Sequence, residues 1–61
     1  MSEWVEACRR KANECELAAR ITIDVDMRVM YRDLAQMWRE LASEIEQFEA
    51  AKVAAITPEH S

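Results

Sequence analysis

Residues 22–26 read Thr-Ile-Asp-Val-Asp, and this stretch decides which fold the sequence predicts. Three of the five residues are β-branched and two are aspartates, so the local preference for helix drops. Asp24 is a good N-cap for a following helix, and Asp26 falls in its first turn, where the helix dipole favours negative charge. We therefore predict a turn at residues 22–24 between two helices.

A single continuous helix is the alternative to this turn. Nothing between Met1 and Thr57 is Gly or Pro, so a helix could run straight through Asp24. Its apolar stripe would have to pass from Ala19 to Ile23 and onward in consecutive four-residue steps, which drift away from a heptad register. The hairpin needs no such drift, and it is the fold that we predict.

Helix one is expected over about residues 2–21, with Ser2 as its N-cap. Its apolar and small residues recur in alternating steps of four and three, the heptad pattern of a helix that packs along one seam. They are Met1, Val5, Cys8, Ala12, Cys15 and Ala19. Glu16 and Arg20 have the spacing of an ion pair within the helix.

Helix two is expected over about residues 25–55 and has the wider apolar face, with Ala35 and Ala42 on the flanks of its stripe. The residues predicted to form an interface are Met27, Met30, Tyr31, Leu34, Met37, Trp38, Leu41, Ile45 and Phe48. Residues 57–61 include Pro58, which stops a helix, and we predict that they form a disordered tail.

The two helices are unequal, about 30 Å and about 46 Å long at ~1.5 Å per residue. Helix one cannot cover all of helix two, so the C-terminal part of helix two, which carries some combination of Ile45, Phe48, Val53 and Ile56, is expected to stay uncovered. A chain of 61 residues rarely buries enough apolar surface alone. We therefore predict an all-α, two-helix antiparallel hairpin that forms a homodimer, most simply a four-helix bundle.

The charge balance argues against nucleic-acid binding, because the net charge is −4 and the pI about 4.8. The basic run at residues 9–11 is flanked by glutamates, as is typical of a solvated helix surface. No signal peptide is visible, and no apolar run approaches the ~20 residues of a membrane span. We expect a cytoplasmic chain with reduced thiols and no membrane or nucleic-acid partner.

Cys8 and Cys15 are the first candidates for chemistry. Their Cα atoms would lie about 10.5 Å apart along a helix, beyond the ~7 Å limit of a disulfide within the chain. A bridge between antiparallel subunits stays possible, but we interpret both as small buried hydrophobic residues. The single histidine is His60, and there is no Gly for a phosphate loop. We predict no enzymatic activity, no cofactor and no metal.

The function best suited to the uncovered stripe is a non-enzymatic homodimeric interaction protein. One alternative is a small acidic inhibitor or regulator, of antitoxin or phage type, which binds another protein through the apolar face of helix two. Another is a thiol- or metal-dependent bundle that uses Cys8 and Cys15.

Three short motifs resemble a known group of proteins. They are Glu14-Cys15, the turn Thr22-x-Asp24 and the helical Trp38-x-x-Leu41-Ala42. Over about residues 12–46 the chain resembles short, uncharacterised alphaproteobacterial helical-hairpin proteins, which carry Glu-Cys, a Thr-x-Asp-Pro turn and an Arg-rich helix. It departs from them at Val25, where the group often has Pro, the residue that presets a helix start. The resemblance implies a helical hairpin and no known activity.

Overall fold

The computed structural model describes residues 2–56 and contains two α-helices joined by a short turn. Helix α1 spans Glu3–Ile21 and helix α2 spans Val25–Ile56. The described residues form no strand, and the two helices pack antiparallel along α1. The predicted two-helix hairpin is confirmed, and the continuous helix is excluded. The predicted tail at 57–61, Met1 and the side chain of Ile56 lie outside the part that the structure describes.

Helix α1 begins at a side-chain cap, as predicted. The Ser2 Oγ accepts hydrogen bonds from the backbone N–H groups of Trp4 at 3.1 Å and Val5 at 3.4 Å. These two groups have no partner inside the helix, so the cap satisfies them. Helix α1 ends at Ile21 and is followed by its C-cap Thr22, whose backbone is extended at φ −81° and ψ 141°.

The turn is held by Asp24 and Arg28. The Asp24 Oδ1 accepts from the backbone N–H groups of Asp26 at 2.8 Å and Met27 at 3.2 Å, which confirms the predicted cap of α2. The Arg28 Nη2 donates to the Thr22 carbonyl at 3.0 Å, at the negative end of the α1 dipole. No described residue has a positive φ, so the chain reverses here without glycine.

The seam between the helices is built from small side chains. Its buried residues are Val5, Cys8, Ala12, Ala19, Ala35 and Ala42. Ala12 and Ala19 are seven residues apart, as are Ala35 and Ala42, so each helix presents one narrow row of methyl groups. Such rows allow close approach of the helices but bury little area per residue.

The position of the seam on α2 corrects the expectation from the sequence. Ala35 and Ala42 were predicted at the flanks of the apolar stripe. They are 2% and 1% exposed and form the centre of the seam with α1. Ile45, from the part of α2 in which uncovered residues were expected, is half-buried and packs against a buried cluster of Val5, Cys8 and Ala42. The physical reason is that the small α1 seam fits closely against alanines, which leaves the bulky side chains of α2 beside the contact.

One side of the seam is polar and sets the register of the two helices. Arg9 Nη2 lies 2.9 Å from Glu46 Oε2, and Arg39 Nη1 lies 2.6 Å from Glu16 Oε2. From the first pair to the second, the α1 residue moves seven positions forward and the α2 residue moves seven positions back. The two pairs therefore lie two helical turns apart on the same side of the hairpin. Glu16 thus binds Arg39, on the other helix, and not Arg20 as predicted. The side chains of each pair are about half exposed, so each pair adds little stability.

The Glu16–Arg39 pair should make the stability of the fold depend on pH in a testable way. The hydrogen bond from Arg39 holds the pKa of the Glu16 carboxyl below its ordinary value of 4.5. A lowered pKa means that the pair stabilises the fold above that value and that this contribution is lost as the pH falls through the lowered pKa. We expect Glu16→Gln to unfold at lower urea concentration than the wild type at neutral pH, with the difference disappearing in acid.

Glu14→Gln is the matched control for this measurement. Glu14 contacts only Lys11, at 3.9 Å within the same helix, so its substitution should leave the urea midpoint almost unchanged at both pH values. Equal losses in the two variants would contradict a specific contribution of the Glu16–Arg39 pair.

Candidate interaction face

A stripe of six large apolar residues, five exposed and one half-buried, runs along one side of α2, and we call it the open stripe. It consists of Met27, Met30, Leu34, Met37, Leu41 and Phe48. At about 100° per residue, they fall within roughly 80° of one another around the helix. Met37 is 61% exposed and Phe48 is 69% exposed, although both belong to the apolar side of the helix. The stripe follows the steps of three, four and seven that a packed helix face requires.

The nine predicted interface residues therefore divide into two groups. Tyr31, Trp38 and Ile45 lie nearest the seam and are half-buried. The other six form the open stripe, in which Leu34 is half-buried and the remaining five are exposed. The structure brings all nine to one continuous side of α2, and their role in an interface stays a prediction.

A shallow groove lies in the middle of the open stripe. Leu34, Met37, Trp38 and Leu41 line it, and it encloses about 330 Å³. Trp38 also packs against the buried cluster of the hairpin, so it connects the groove to the core. An apolar groove that an aromatic side chain lines suits the side chains of an apposed helix.

Helix α1 contributes a second, flatter part of the same surface. Trp4 is 73% exposed, Ala7 and Ala18 are half-buried, and Lys11 is exposed. They lie on the same side of the hairpin as the open stripe, because the ion pairs occupy the other side of both helices. We call the stripe and these four residues together the open face. No interface residue on α1 was predicted from the sequence, although the steps from residue 4 to 7, 11 and 18 carry the same helical period.

The outer border of the open stripe is acidic. It carries Asp26, Asp33, Glu40 and Glu44 along one edge of α2, and we call these four residues the acidic rim. None of the four forms an ion pair within the described residues. The arginines of α2 lie across the helix, on the side of the ion pairs, so this edge of the stripe carries only negative charge. Lys52, one turn beyond Phe48, is the cation in line with the stripe.

The remaining candidate sites offer little chemistry. Cys8 is buried and Cys15 is half-buried, and both thiols are free. Residues 2–56 contain no cluster of three or more His, Cys, Asp or Glu side chains suited to a metal ion. A second cavity of about 290 Å³ is lined by Glu16, Ala19, Arg20 and Arg32, but its one acid is already bound to Arg39. Neither helix has the length and apolar character needed to cross a membrane, over the residues searched.

Comparison with known proteins leaves the function to be argued from the site itself. No protein-family model matches the chain, and no curated protein or solved structure is significantly similar to it.

Proposed function

We propose that this chain is a non-enzymatic protein–protein interaction module that works as a homodimer of helical hairpins. The observation that carries the proposal is the open stripe, a helical row of bulky apolar side chains on the side of α2 that α1 leaves bare. A contiguous apolar surface of this kind usually marks a contact with another protein.

The shape of the hairpin supports a second layer. Its radius of gyration is 16.0 Å, whereas a compact domain of this length has about 10 Å. The principal extents of 57, 15 and 10 Å describe a single layer of two helices. Stable domains usually consist of two packed layers around one core, and a second hairpin on the open face would supply the missing layer.

Measurement of the molecular mass in solution tests this proposal. We expect size-exclusion chromatography with light scattering at low micromolar concentration to give twice the chain mass of 7.1 kDa. Circular dichroism on the same sample should report a largely helical protein. A well-folded particle of one chain mass at these concentrations would refute the homodimer.

The acidic rim favours a second candidate function, an inhibitor or regulator that binds a basic helix of another protein. Complementary charge speeds such an association and selects against acidic partners. In that case the chain alone should be monomeric and gain helix only when a basic amphipathic peptide is added. A helical dimer that binds no such peptide would count against it.

A further inference from the structure

We infer that, in the homodimer proposed above, α1 of each copy lies on the open stripe of the other copy, from Leu34 to Phe48. The two-fold axis then runs parallel to the helices, and every helix has antiparallel neighbours. This inference depends on the proposed dimer and adds which helix covers the stripe. It follows from the shape, the charge and the area of the open face.

The shapes of the two parts of the open face are complementary. The α2 part is bulky, with three methionines, two leucines and a phenylalanine. The α1 part is flat along most of its length, because Ala7 and Ala18 project little beyond the backbone and the Lys11 stem can lie along apolar surface. Apposing α1 and α2 sets a bulky row against a flat one, whereas apposing two α2 helices sets bulk against bulk and leaves a gap between the two α1 helices.

The register of this arrangement is already defined by the hairpin. Rotation about an axis parallel to the helices preserves height along them, so α1 meets the second copy's α2 in the register of the Glu16–Arg39 and Arg9–Glu46 pairs. In that register Ala18 lies at the height of Met37 of the second copy. Lys11 lies at the height of Glu44 of the second copy.

Charge favours the same arrangement. Lys11 is the cation in the α1 part of the open face, and its contact with Glu14 is long, at 3.9 Å, and exposed. When α1 packs against α2 of a second copy, the Lys11 ammonium comes close to the acidic rim of that copy. The competing arrangement, with α2 on α2, brings two acidic rims together, so that Asp33 and Glu40 of different copies approach each other.

The area within reach of α1 is close to the minimum for a specific dimer. In the register above, α1 lies opposite residues 34–52 of the second copy, so Met27 and Met30 stay outside this contact. The large exposed apolar residues that the contact covers are Trp4, Met37, Leu41 and Phe48, with exposed fractions between 41% and 73%. At roughly 200 Å² per large side chain, they expose about 490 Å² per copy. Two copies would bury about 1,000 Å² from these four residues, which is the approximate lower bound for a specific interface.

Disulfide trapping between differently labelled chains tests the arrangement. In a Cys8→Ala/Cys15→Ala background, chains with Ala18→Cys are mixed with chains with Met37→Cys, refolded together and oxidised mildly. We expect a disulfide between the two kinds of chain, read by non-reducing electrophoresis and mass spectrometry. It should form roughly tenfold faster than any disulfide in either single variant, since a bridge needs Cα atoms within ~7 Å.

Leu17→Cys in place of Ala18→Cys is the matched control. Leu17 is 58% exposed and one residue away, but its side chain lies about 100° further around α1, away from the open face, so its mixture with Met37→Cys should trap slowly. Fast trapping of Met37→Cys with itself would overturn the inference, because it places α2 on α2. Trapping of the control as fast as the Ala18→Cys mixture would overturn it as well.

Light scattering on the reduced mixture separates this inference from the proposed function. A dimeric mixture that fails to form the 18-to-37 disulfide contradicts the arrangement and leaves the homodimer intact. A monomeric mixture contradicts the homodimer itself, provided that the wild type is also monomeric under the same conditions.

Discussion

Replacing Ala12 with leucine is expected to destabilise the hairpin by about 2 kcal/mol or more. Ala12 is fully buried, at 0% exposure, in a seam where alanines of both helices lie close together. Three additional carbon atoms must push the helices apart or adopt strained rotamers. Leucine is nearly as good a helix former as alanine, so helix propensity contributes little to the loss. Urea unfolding followed by circular dichroism measures it.

Ala50→Leu is the control for this substitution. Ala50 is exposed on α2, so the same change of side chain should alter stability by less than about 0.5 kcal/mol. If the two variants unfold at the same urea concentration, then close packing of alanines does not hold the helices together.

Replacing Leu41 with glutamate is expected to separate the dimer into folded monomers. Leu41 lies in the middle of the open stripe and lines its groove, so a carboxylate there would be desolvated without a partner in the dimer. It also lies beside the acidic rim, which adds repulsion. We expect the dissociation constant to rise by about 100-fold or more, or about 2.7 kcal/mol, in sedimentation equilibrium.

Ser43→Glu adds the same charge two residues away, on the exposed side of α2 that faces away from the open stripe. Its dissociation constant should change by less than about threefold, the scale of a surface charge effect. An equal rise in both variants would mean that net charge alone opposes association. Loss of helix in Leu41→Glu would mean that this residue supports the hairpin, and not only the interface.

The ends of the helices follow from local interactions that the sequence contains. Ser2 and Asp24 each cap backbone groups two and three residues ahead, so their effect needs no distant partner. The β-branched and aspartate residues of the turn act in the same local way. For this reason the hairpin could be predicted although the turn has no glycine.

The orientation of α2 could not be predicted in the same way. Its apolar sector is wide enough to offer two seams, one through Leu34 and Leu41 and one through Ala35 and Ala42. The number of large apolar side chains favours the seam through Leu34 and Leu41, whereas in the structure α1 packs on the seam through Ala35 and Ala42. Which seam packs depends on the side-chain sizes of α1, and that is a property of the pair of helices.

The sequence by itself determined the two helices, their caps, the turn and the presence of more apolar surface than one hairpin can bury. These are consequences of short-range hydrogen bonds and helical periodicity. Only the tertiary structure decided that alanines form the seam, that Glu16 binds Arg39, and that the open stripe lies between Trp38 and an acidic rim. The reason is that each helix has more than one face that could pack, and the face that does pack depends on how well the surfaces of both helices fit together.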